Sequence, residues 1–228
     1  MTIYIKKQLQ TALFFVLTKW CSFIKISFII GSQMAWFSLN SVLVPLSGAF
    51  FGLVGSSVLL VMRFIAHIII FKTISLSFFA FVIPGYCASL YWATRNALVG
   101  FVLPAVCIVL FVVHPVGNQA FVYAFYWCIP LMIYISSRKS LFLQALGSTF
   151  VAHAVGSVIW LYTTTSTAAM WLELIPLVAV ERLLCAVGMV VGYKIFMGST
   201  YVKTSCMYYG WKSTMGHAAG IITGTRAS

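Results

Sequence analysis

The sequence contains no aspartate, and its 228 residues include only two glutamates, Glu173 and Glu181. That scarcity excludes paired-carboxylate catalysis and leaves nothing to hold the magnesium ions of ATP chemistry. P-loop and GxSxG signatures are also missing, so the chain is not expected to be an enzyme, and any ATP-driven step would need another subunit. Six cysteines lie far apart with no CxxC pair, which fits packing residues in a reduced setting. Four histidines, His67, His114, His153 and His217, lack HExxH or paired ligand spacing, so no metal and no cofactor is expected, and a haem-binding carrier is the weakest alternative.

Apolar residues, by contrast, are abundant. They make up 62% of the chain against 7% charged, with a mean hydropathy of +1.05, more than a water-soluble core can bury. Backbone groups in lipid must be satisfied internally, and the apolar runs have helical length rather than barrel alternation. The expected fold is all-α, a polytopic transmembrane bundle of six to eight membrane-embedded helices. The net charge of +12 lies mainly between apolar runs and at the termini, which indicates positive-inside orientation in the cytoplasmic membrane and attraction to anionic lipid, not a nucleic-acid site.

Three regions follow: a basic N-terminal segment over 1–25, a single membrane domain over 26–197, and a basic cytoplasmic tail over 198–228. Lys6, Lys7, Lys19 and Lys25 make 1–25 a helix on or entering the bilayer and argue against a signal peptide. The region from Ile26 to Met62 suggests two helices joined near PLSGAFFGLVGSS, where Gly48 and Gly52 are spaced GxxxG. Pro84-Gly85 should kink or break the run from Thr73 to Trp92. Four spans come next, Asn96–Val113, Gln119–Ile135, Leu141–Tyr162 and Leu172–Phe196, the last with Pro176 close to its start. If these alternate, Arg95, Arg138-Lys139 and the tail are cytoplasmic, and HPVGNQ and TTTSTAAMW face outward. The three obvious runs before Arg95 would place the N-terminus outside, against its lysines, so one run must be interfacial or split.

The candidate site lies between Gly147 and Lys194. Thr149, His153, Gly156 and Trp160 share one helical face, where an indole can stack on a flat substrate or a histidine can bond between packed helices. Glu181 and Arg182 are adjacent and point about 100° apart, so each is expected to seek a partner on another helix, with His153, His67 and Arg63 the candidates for Glu181. His114 and Asn118 belong to HPVGNQ, either as turn chemistry or at the mouth of a pocket.

The early hairpin VPLSGAFFGLVGSS and the last helix, entered through LIPLVAVERLLCAVG, make residues 26–197 similar in layout to the substrate-binding S components of energy-coupling factor vitamin transporters. The resemblance implies a six-helix bundle that captures a vitamin or similar micronutrient from outside and works with a transmembrane coupling protein and ATPase subunits. Those proteins carry an AxxxA docking patch, which Gly31-xxx-Ala35 approaches. The expected small-molecule site is then His153, Trp160, Glu181 and Arg182, with His114 and Asn118 near the mouth. The alternative from another class is a structural or assembly membrane protein whose buried charges only hold helices or a partner subunit.

Overall fold

The computed structural model describes residues 2–24, 38–72, 76–94, 96–136 and 140–198. The Gly31–Ala35 pair, Arg95, Arg138-Lys139, His217 and the tail beyond Gly198 lie outside them. Among the described residues the structure is helical, with no strand. The helices are α1 (Thr2–Cys21), α2 (Asn40–Phe71), α3 (Leu76–Thr94), α4 (Leu98–Val113), α5 (Pro115–Gln119), α6 (Phe121–Ile135), α7 (Leu141–Thr163) and α8 (Ala168–Gly198). Three of these, α2, α7 and α8, are long and apolar enough to cross a membrane, α2 only when its residues on both sides of Gly52 are counted together.

Helix α2 is not straight. Gly52 has φ 66° and ψ −163°, a conformation open essentially to glycine, and it interrupts the helix between 40–51 and 53–71. Ser47 and Ser56 hydroxyls meet at 3.3 Å across that break, although nine residues of straight helix would separate them by about 13 Å. Asn40 and Arg63 also meet, with the Asn40 amide turned so that its oxygen accepts from Arg63 Nη2 at 2.5 Å. The two arms therefore fold back on each other, forming the hairpin expected at PLSGAFFGLVGSS. Ser47 donates to Ser89 Oγ at 3.1 Å, and Ser89 donates to the Val44 carbonyl at 2.8 Å, tying α3 into the fold-back. Gly48 allows this approach, because a Cβ there would collide with the Ser89 carbonyl.

The contacts also fix the direction of each leg. Phe14 packs on Phe50 while Asn40 reaches Thr18, so α1 and the first arm of α2 are antiparallel. Ser57 bonds Tyr86 and Phe64 packs on Phe78, so the second arm is antiparallel to α3. Tyr162 donates to the Leu110 carbonyl, and Val99 packs with Val151, so α4 runs parallel to α7. Tyr123 reaches His153 while Tyr126 stacks on Phe150, so α6 opposes α7. Counting α1, the two arms of α2, α3, α4, α6, α7 and α8, eight legs alternate in direction.

Two cores share the α7–α8 pair. One gathers Phe14, Leu46, Phe50, Trp92, Ala145, Cys185 and Met189. The other gathers Phe111, Tyr123, Trp127, Phe150, Leu161, Trp171 and Val178. Val42 and Leu46 lie against Gly188 and Gly192, so that glycine pair packs α8 on the first arm of α2.

Three sequence expectations meet the structure here. Pro84, expected to kink or break the helix, does not break α3, and its ring lies beside Gly156 of α7. Pro176 is interior to α8, because Thr167 starts the helix earlier by accepting from Met170 N at 3.3 Å. HPVGNQ, expected as a turn or at the mouth of a pocket, carries the single-turn helix α5 over Pro115–Gln119.

Candidate functional site

Helix α7 places Thr149, His153 and Ser157 one turn apart, and all three are buried. Opposite them, α6 opens as a 3-10 turn over Phe121–Trp127. Three residues per turn superimpose Tyr123 and Tyr126 on one face, and both address α7. The Tyr123 hydroxyl and His153 Nε2 share a hydrogen bond of 2.8 Å, and Ser157 Oγ lies 3.5 Å from the same hydroxyl. Tyr126 stacks on Phe150 with centroids 5.6 Å apart and donates to the Ile175 carbonyl at 2.9 Å, which anchors α6 to α8.

Aromatic rings enclose this polar group. Phe111 stacks on Tyr123 at 5.6 Å, and Trp171 meets Tyr123 edge-on at 5.0 Å. Trp127 meets both Phe111 and Tyr123 edge-on and is fully buried. Trp171 Nε1 donates to Ser166 Oγ at 3.0 Å, whereas Trp127 Nε1 has no hydrogen-bond partner among the described residues. A buried donor left without an acceptor costs about 1–3 kcal/mol, so this indole is a point where the protein's own polar accounts do not close.

Glu181 and Arg182 lie at the junction of the two cores, between Val178 and Cys185. Their side chains are 5% and 4% exposed. The expectation that adjacent positions keep the two charges from facing each other is corrected: Arg182 Nη2 lies 3.6 Å from Glu181 Oε2. Adjacent positions diverge at Cα, but the long arginine stem curls back far enough to face its neighbour. The other proposed partners of Glu181 are engaged elsewhere, Arg63 with Asn40 and His67 stacked on Phe78 at 4.0 Å. Arg182 remains within electrostatic reach of His153, and both charges are within reach of Tyr123.

The structure thus brings His153, Glu181 and Arg182 into one neighbourhood. Trp160 is half-buried and packs against the aromatic core. His114 caps α5, its Nδ1 accepting from Val116 N at 3.3 Å, and its ring meets Tyr162 edge-on at 4.9 Å. Asn118 is exposed and donates to the Val112 carbonyl at 3.3 Å. Both residues shape the α4–α5 turn. Glu173 is exposed near the start of α8. Sequence reasoning missed Tyr123, Trp127, Ser157 and Trp171. The signal for them was present in the aromatic run FVYAFYW and in the one-turn spacing of Ser157 after His153.

No family model, curated protein or solved structure matches the chain.

Proposed function

We propose that the chain is a multi-pass protein of the cytoplasmic membrane, with six to eight membrane-embedded helices, that binds a small molecule for uptake. In this reading it is a substrate-binding subunit without its own ATPase, like the S components it resembles. Its cargo is a vitamin or similar micronutrient, and a transmembrane coupling protein and ATPase subunits supply the energy.

The observation that carries the reading is the unpartnered indole N–H of Trp127, buried within one aromatic cluster with the Tyr123–His153–Ser157 bonds and beside the Glu181–Arg182 pair. Such a group offers a flat ligand ring faces to stack on, a donor seeking an acceptor, and charges of both signs. Intramembrane ionisable residues are costly and are kept where they bind or carry something.

The structural alternative has an observation in its favour too. Glu181 and Arg182 neutralise each other on one helix, and the surrounding rings already pack edge-to-face. One pair of measurements separates the readings. Mass spectrometry of small molecules retained by protein purified from its native membrane should find a ligand, and Trp127→Phe should weaken its binding by about tenfold while the melting temperature holds. Retention of no small molecule would favour the helix-pinning reading.

A further inference from the structure

The chain is so poor in acids that its other buried cations can be audited one by one. Arg63 and Lys19 are both partly buried where α1 crosses the open end of the α2 hairpin. The Asn40 amide joins α1 to Arg63: its nitrogen donates to the Thr18 carbonyl at 3.2 Å, and its oxygen accepts from Arg63 Nη2 at 2.5 Å. Lys19, the next residue on α1, lies within electrostatic range of Arg63, and its Nζ sits 5.7 Å from the centre of the Phe15 ring. Two like charges are therefore held together with a neutral amide as the acceptor.

No carboxylate in the neighbourhood compensates them. Of the two glutamates, Glu181 is paired with Arg182 and Glu173 is exposed on α8, and that pair is the one salt bridge among the described residues. A guanidinium has five N–H donors in a planar fork suited to phosphate, and one bond to Asn40 leaves most of them available. On either side of Arg63 the helix exposes Val61 and Ile65, at 53% and 50%, a surface suited to acyl chains.

We infer that Lys19 and Arg63, the latter held by Asn40, bind a phosphate-bearing anion, either the headgroup of an anionic lipid or a free phosphate. Both sources offer the same chemistry, a compact oxyanion that accepts from the guanidinium fork and neutralises the ammonium. The inference is independent of the uptake reading, since it uses none of the residues around Trp127.

The test uses the full chain, delipidated in detergent and returned to nanodiscs of phosphatidylcholine with or without phosphatidylglycerol. Native mass spectrometry then counts retained lipid, and equilibrium dialysis measures inorganic phosphate. The wild type should retain phosphatidylglycerol over phosphatidylcholine or bind phosphate, and Lys19→Gln should reduce that binding about fivefold. Asn40→Asp is the decisive variant, because it places a carboxylate against Arg63 and should displace the external anion, although it gives up the donor to the Thr18 carbonyl. Loss of phosphatidylglycerol alone assigns the site to lipid, and loss of phosphate alone assigns it to the free ion. Equal retention of both lipids with no phosphate binding, or binding unchanged in Asn40→Asp and Lys19→Gln, would overturn the inference.

Discussion

The energetic weight of this molecule rests on a few side chains that water would ordinarily serve. Glu181 and Arg182 have lost their hydration and hold each other at 3.6 Å. Neutralising one leaves the other as an uncompensated buried charge, so Glu181→Gln or Arg182→Gln should cost about 3–5 kcal/mol, measured by thermal unfolding in detergent. Replacing both with methionine should recover most of that loss, since the desolvation cost leaves with the charges. Tyr123→Phe removes the hydroxyl shared by His153 and Ser157, and should destabilise the fold by about 1–3 kcal/mol in the same assay. At this scale the sequence revealed position better than partnership. The rarity of acids singled out Glu181, but the angle between adjacent residues said nothing of how far an arginine stem can bend. Tyr123 escaped notice because a phenol in an aromatic run carries no spacing signature of its own.

Among the elements, α2 departs furthest from its outward length. A cluster of small residues marked the place where two helices join, and the join proves to be one residue, Gly52. Cysteines introduced by Ser47→Cys and Ser56→Cys should form a disulfide on mild oxidation, detectable as a cross-linked peptide by mass spectrometry. A straight helix would hold them about 13 Å apart, beyond bridging distance. Gly52→Ala forces a side chain into a positive φ and should destabilise the protein by about 1–3 kcal/mol, even though the site has open space for the added methyl. Prolines were the less legible signal. Pro84 and Pro176 both sit inside continuous helices, because neighbouring helices decide whether the distortion can be accommodated.

For the whole molecule, composition alone indicated helices in a membrane, and the helices from Asn96 onward were legible to within a few residues. The burial of polar groups on α7 and the outward apolar faces of α2 and α4 agree with that environment. The protein should accordingly stay in the pellet when membranes are washed with alkaline carbonate; release into the wash would contradict a membrane-embedded bundle. The grouping of α6 with α7 and α8 was not legible, since it depends on which faces meet across helices distant in sequence.

The fold at Gly52 has a consequence for the sidedness of the chain. A single helix across 40–71 would make the number of legs odd and set the start of α1 and the end of α8 at opposite ends of the bundle. The reversal makes it even, and Phe14 of α1 does pack against Phe196 near the end of α8. The first turns of α1, the end of α3 and the start of α7 then share that end, whereas Lys19, Arg63 and Lys72 lie toward the opposite one. Epitope tags placed ahead of Thr2 and after Gly198 should therefore be shielded or digested together in sealed vesicles. One glycine's backbone angle acts, in effect, as the parity bit of the topology.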